Sequence, residues 1–220
     1  MRRRVLEHPL RVAPLESLEK EQQDNCCVIR FRGDVKLWPP SVDMARPASC
    51  PKCRVACGMR GARRIYGHGV VERQQRGPPG PDEASTCQVV VCRRFFCLEC
   101  RTVIRVLPAA AQPRKHFSGA AIALALAAWG LCAMSLAEVR RRVNDAREVG
   151  SSVRGWRTLT AWTGDVSRGV LFAGLGLTDG PGAPRAVAAR AAQALVGWAP
   201  PTWAETAVTH QAFAGSVHVG

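Results

Sequence analysis

Two short cysteine pairs, Cys50-Pro51-Lys52-Cys53 and Cys97-Leu98-Glu99-Cys100, constrain this chain more than any other feature, and 43 residues separate them. In a C-x2-C knuckle the backbone turns so that both thiolates face one point. Two knuckles brought together offer four sulfur ligands at the corners of a tetrahedron, a shell that zinc accepts and that leaves no open position for a reactive water. The competing use of cysteines, a disulfide scaffold, needs an oxidising compartment. Met1-Arg2-Arg3-Arg4 is followed by Val-Leu-Glu-His-Pro-Leu, which has no apolar run of the kind an export signal carries. The expectation is a cytoplasmic protein in which Cys50, Cys53, Cys97 and Cys100 hold one structural zinc ion per chain.

The residues between the knuckles are suited to bringing them together. Arg64–Val71 reads as a strand or turn, and Gln88–Phe96 as a strand leading directly into the second knuckle. Gly77-Pro78-Pro79-Gly80-Pro81 must be a loop. This is the pattern of a zinc ribbon, a sheet too small to bury enough apolar surface without its metal. Cys57, Cys87 and Cys92 read as small buried hydrophobes, with exchange into the metal shell or a second metal as the alternative. His68, between two glycines, reads as a turn histidine or else a ligand; Cys26 and Cys27 read as packing residues and Cys132 as core.

Upstream, residues 1–49 read as largely irregular apart from a short strand at Cys26–Phe31. Downstream the pattern becomes helical. Phe117-Ser118 offers a staple residue and an N-cap for a helix reaching about Trp129. Ser135-Leu136-Ala137-Glu138 is a capping-box match opening a second helix to about Arg147. A turn at Val149–Ser152 precedes a third, Val153–Trp162, with Val153, Trp156 and Leu159/Thr160 on the core side. Arg154, Arg157, Thr158 and Ala161 fall on the opposite side, a stripe that suits a DNA major groove because arginine forks onto guanine and Thr or Ala meets a thymine methyl. Three such helices predict a helix-turn-helix-like unit. Gly174–Pro184 reads as a linker, followed by an Ala-rich helix from about Arg185 to Trp198; the last twenty residues carry no usable signal. The domain reading is therefore 1–49 extension, 50–106 zinc ribbon, 113–165 helical domain and 166–220 linker, helix and tail, an α+β fold. The uncharged run from Ser118 to Ala137 approaches the length of a membrane span, but half of it is Ala or Gly and its two caps divide it.

Charge points to the kind of partner. The formal net charge is +14, and residues 50–117 carry 13 Lys/Arg against 4 Asp/Glu, whereas residues 169–220 are neutral. A basic middle rather than a basic tail fits a folded surface for polyanions, and Arg93 and Arg94 sit on it as candidate phosphate contacts.

In order along the chain stand Cys50-Pro-Lys-Cys53, Gly67-His68-Gly69, Arg93-Arg94-Phe95-Phe96-Cys97-Leu-Glu-Cys100-Arg-Thr102, Val106-Leu107-Pro108, Pro113-Arg114-Lys115-His116-Phe117-Ser118 and Trp156-Arg157-Thr158-Leu159. Over about residues 48–165 this resembles a family of uncharacterised bacterial proteins that join a zinc ribbon to a helix-turn-helix, related to the DNA-binding N-terminal regions of insertion-sequence transposases. The resemblance implies that the four knuckle cysteines are the metal ligands and that the third helix reads DNA. Ribbons of this kind carry glycine soon after each knuckle; Arg54 and Arg101 stand there instead, which predicts strained knuckle turns. After the helical segment only Asp165, Asp179 and Glu205 remain as carboxylates, too few strand-like residues surround them for an acidic-triad nuclease, and no phosphate loop or HExxH is present. The expected protein is not an enzyme. It binds duplex DNA as a transposase-related regulator in the cytoplasm (nucleoid-associated), with a transposase or other protein as a further partner. The alternatives are a protein- or RNA-binding adaptor and a membrane-anchored ribbon spanning 118–137.

Overall fold

Four strands make one sheet in this computed structural model, which describes residues 26–31, 38–58, 62–144, 156–177 and 182–219. Strands β1 (Cys26–Arg30), β2 (Ile65–Gly77), β3 (Thr86–Cys97) and β4 (Val103–Leu107) lie in the order β1-β4-β3-β2. β2, β3 and β4 form an antiparallel meander, and β1 joins its edge parallel to β4, from Cys26 opposite Val103 to Arg30 opposite Leu107. The long β2–β3 hairpin turns at the Pro/Gly loop, and the β3–β4 hairpin turns at the second cysteine knuckle.

Side chains alternate across the sheet, so each face has its own small core. Ile65, Phe95, Ile104 and Val106 pack on one side with Phe31, Ala45, Cys57 and the half-buried Trp38. Trp38 donates from Nε1 to the Val91 carbonyl at 2.8 Å, and Ser41 caps the single turn α1 (Val42–Ala45) that follows. On the other face Cys92, Leu107 and Ala111 pack with Val28, Val71 and Val90.

The helices surround one central element. α2 (Gly119–Gly130) begins at Ser118, whose side chain accepts from the Ala121 N–H, and residues 119–128 are all buried. α3 (Leu136–Val143) opens with the complete capping box of Ser135 and Glu138. α4 (Arg157–Ser167), α5 (Pro184–Val196) and α6 (Val208–Gly215) complete the bundle, and α3, α4, α5 and α6 all pack against α2. A helix apolar on every face must be enclosed by protein or lipid. Here its neighbours enclose it, and among the described residues no helix is long and apolar enough to cross a membrane. Alanines on α2 and α5 let the two backbones approach so closely that a Cβ on Gly130 would run into the backbone of Ala189. Phe117, Trp156 and Trp162 stack edge-to-face with centroids 5.0–6.0 Å apart, fastening the start of α4 to the start of α2.

Sheet and bundle are interlocked. Ser118 N–H donates to the Arg76 carbonyl and Arg76 N–H to that of His116, while Gly77, at φ 126°, sits so close to Ala121 that no side chain fits there. At the hairpin tip Asp82 meets Arg142 and His210, and Ser85 donates to the Val143 carbonyl. Arg30 of β1 donates to the carbonyl of Val219, near the end of the chain.

Several expectations change. Cys132 is exposed in the turn after α2 rather than in the core, because the helix ends at Gly130. Cys87 is exposed on the outer part of the β2–β3 hairpin, beyond either core cluster. Thr160 is exposed, the core side of α4 being made by Trp156, Leu159, Trp162 and Val166. The segment 166–220, read as linker, Ala-rich helix and tail, supplies two of the bundle's helices, one of them the expected Ala-rich helix. The N-terminal residues 1–25, expected to be irregular, the turn expected at Val149–Ser152, and Val153 and Arg154 lie outside the described residues.

Candidate metal centre

The first knuckle stands on a miniature hairpin in which Ser49 pairs with Ala56, Cys50 N–H donates to the Val55 carbonyl and Arg54 N–H to that of Cys50. The second is the tip of the β3–β4 hairpin, closed by Cys97 N–H to the Thr102 carbonyl and braced by Leu98 N–H to that of Arg64. These two turns bring Cys50, Cys53, Cys97 and Cys100 together with all four Sγ atoms within 4.8 Å of one another. Cys50 Sγ lies 3.6 Å from Cys100 Sγ, and Cys53 Sγ lies 3.7 Å from Cys97 Sγ.

Those distances decide what the cluster suits. A disulfide is about 2.05 Å long, and all ten cysteines are free. A tetrahedron of zinc–sulfur bonds of about 2.3 Å has sulfur–sulfur edges of about 3.8 Å, close to the spacing found. Cys50 and Cys97 are fully buried, and Cys53 and Cys100 are partly exposed, so the centre is closed towards the sheet and reached from one side.

Electrostatics point the same way. Cys53 receives the Val55 N–H, yet burial and the neighbouring thiols of Cys100, Cys50 and Cys97 push it up to about 12. Burial pushes the Cys97 thiol up despite N–H bonds from Cys100 and Glu99. Burial also works against Cys100, but the Thr102 side chain and the thiols of Cys50 and Cys53 bring it down to about 6. Four thiols in one space cannot all ionise by themselves; a divalent cation among them removes the conflict. Thr102 is itself buried, with its hydroxyl 3.3 Å from Cys100 Sγ, and orients that sulfur from behind.

The expected strain is present. Arg54 and Arg101, each directly after a knuckle, have φ values of 63° and 54°. This left-handed conformation costs a side-chain-bearing residue about 1–2 kcal/mol, and a turn that folds two thiolates inward imposes it twice.

The other cysteines and His68 separate cleanly. Cys57 is buried beside the knuckles with Sγ 3.8 Å from the Ile65 carbonyl, Cys92 belongs to the opposite core, and His68 lies against the Phe96 ring at 5.6 Å. None joins the cluster, which is the single such group among the described residues. Cys27, read as a packing residue, lies outside the four-cysteine cluster but near it. It lies on β1, and burial together with the charges of Cys50, Cys26 and Cys100 pushes its thiol up. Only the parallel pairing of β1 with β4 brings it there, and a parallel partner 77 residues away leaves no local signal.

The candidate DNA contacts are spread over the molecule. Arg93 and Arg94 point to opposite faces of the sheet: Arg93 donates from Nε to the Pro40 carbonyl, while Arg94 lies directly opposite Arg105 on β4. Arg157, in the first turn of α4, is exposed and Thr158 half-exposed; Arg154 lies outside the described residues. Residues 145–155, between α3 and α4, lie outside the described residues. Asp165 is held between Lys115 and Arg168, and Glu205 is exposed.

Fold and site define an α+β protein in which a four-cysteine cluster able to hold a metal ion locks a mixed sheet that leans on a helical bundle. Comparison with protein-family models, curated proteins and solved structures finds no match for this chain.

Proposed function

We propose that the metal is zinc, that it serves structure rather than chemistry, and that the protein binds duplex DNA as a transposase-related factor without a catalytic domain of its own. The closed four-cysteine cluster carries the first part of this reading: it supplies four soft ligands at tetrahedral spacing and no open position. Support for the second part is the charge of the same region, 13 Lys/Arg against 4 Asp/Glu over residues 50–117, together with the exposed Arg157 and Ala161 and the half-exposed Thr158 on α4. We take α4, whose first turn carries Arg157 and Thr158, as the DNA-reading helix. Residence on the nucleoid follows from the same reading.

Fluorescence anisotropy with labelled duplex and single-stranded probes over a salt series tests it. Duplex binding should weaken steeply with salt, by about 0.9 log units per decade of salt for each phosphate contacted. Arg157→Ala should shrink the difference between a selected duplex and a random one by about 1–3 kcal/mol while leaving the salt slope alone. Equal affinity for single strands and duplexes, with an unchanged Arg157→Ala, would overturn the duplex reading in favour of an adaptor.

A further inference from the structure

The face of the sheet turned away from the four-cysteine cluster holds a second site that neither that cluster nor the α4 stripe uses. Between that face and the segment 114–116 lies a cleft of about 920 Å3. Its floor is apolar, made by Val28, Val71, Cys92 and Leu107, and its sides carry Arg73, Arg105, Arg114 and His116 with Glu72 as the one carboxylate. Lys115 also lines it but is taken up by Asp165.

These cations are crowded. Arg105 stands directly opposite Arg94 across the β3–β4 ladder, a like-charge pair that opposes sheet formation. Arg73 is half-buried, with its guanidinium donating to the Gln112 carbonyl at 3.0 Å. Among the described residues no carboxylate forms an ion pair with Arg73, Arg94, Arg105 or Arg114. Arg114 adds backbone strain, with φ at 57°, on the wall of the cleft. Unneutralised arginines around a concavity are what an anion-binding site requires.

We propose that this cleft binds a small organic phosphate of the nucleotide type. Its phosphates engage Arg105, Arg114 and Arg73, and its flat body lies on the Val28–Val71–Leu107 floor. The volume falls within the roughly 300–1,000 Å3 of small-ligand pockets, and an apolar floor with a few convergent cations matches that ligand class better than bare inorganic phosphate. Arg157 and Thr158 of α4 do not line it, so it does not rest on the DNA-reading helix.

Calorimetric titration of the metal-loaded full-length protein with ADP, pyrophosphate and adenosine tests the assignment. ADP should bind most tightly, pyrophosphate more weakly and adenosine weakest. Arg105→Gln and Arg114→Gln, both exposed and able to change without unfolding the sheet, should each weaken ADP by about tenfold or more. Arg157→Ala should bind ADP like the wild type. Saturating ADP should leave the affinity for duplex DNA unchanged. No heat with ADP, or Arg105→Gln and Arg114→Gln binding like the wild type, overturns the proposal. So does competition between ADP and duplex, which assigns the cleft to the DNA backbone instead.

Discussion

The sheet divides its apolar residues between two small clusters, one on each face, whereas the bundle gathers its own into a single large one around α2. The difference shows in how each region tolerates polar and strained features. The sheet carries arginines opposite each other, two left-handed arginines at the knuckles and a cluster of thiols that resist joint ionisation. The bundle carries alanine packed on alanine, one complete capping box and a three-ring aromatic contact. A region with little core needs a cross-link to hold such features, and under the proposed reading four cysteines around a metal supply it; a region with a continuous core needs none.

Metal removal should break the comparison most visibly. Apparent zinc-binding free energies in small zinc-dependent folds are about 10–16 kcal/mol, far above the stability of a small sheet. Chelation should therefore disorder the sheet while the far-ultraviolet helical signal largely remains. Trp38, which leans on β3, should lose its buried fluorescence before Trp156 and Trp162 do. Cys97→Ser should reproduce this without chelator.

Leu124→Ala should act on the other region. Leu124 is fully buried at the centre of α2, and its truncation should cost about 2–5 kcal/mol in thermal or denaturant unfolding of the bundle. Metal content should stay at the wild-type level, because the residue touches neither knuckle.

The contact between the regions gives a smaller effect with a defined pH sign. Burial raises the Asp165 carboxyl, but Lys115 and Arg168 outweigh it and hold it below the usual aspartate range. A depressed folded value stabilises above the unfolded value of about 3.9. That contribution is lost as pH falls from there through the folded value. Asp165→Asn should lower stability by about 1–3 kcal/mol at neutral pH, since Lys115 is left partly buried without its partner. The gap to the wild type should close as the pH is taken below 4 in denaturation curves.

Smallest of all should be the knuckle glycines. Arg54→Gly and Arg101→Gly relieve a left-handed strain of about 1–2 kcal/mol but add unfolded-chain freedom worth about 0.5–1 kcal/mol. Each should raise the resistance of the metal site to chelation by about 1 kcal/mol or less, read as a shift in the chelator midpoint.

What was legible in the sequence was what is local. The Ser118 cap, the Ser135–Glu138 box, the Pro184 start of α5 and the strand running into Cys97 each have a signature within a few residues, and each stands where expected. The four-cysteine set was legible because two-residue spacing is itself a geometric device. The rest depended on long-range pairing. Nothing near Cys26–Arg30 announces a parallel partner at Val103–Leu107, and that pairing sets Cys27 beside the metal centre and Val28 on the floor of the cleft. Arg93 and Arg94 look equivalent until strand alternation sends one to Pro40 and the other to Arg105. The helices after residue 169 pack by alanine, which marks helix but not its neighbours.

The centre itself is tested most directly by elemental analysis of the purified chain joined to X-ray absorption at the metal edge. One zinc per chain, surrounded by four sulfur atoms at about 2.3 Å, is the predicted result. A folded chain that contains no stoichiometric metal and keeps its sheet in chelator, or a metal shell built from nitrogen or oxygen, would contradict it.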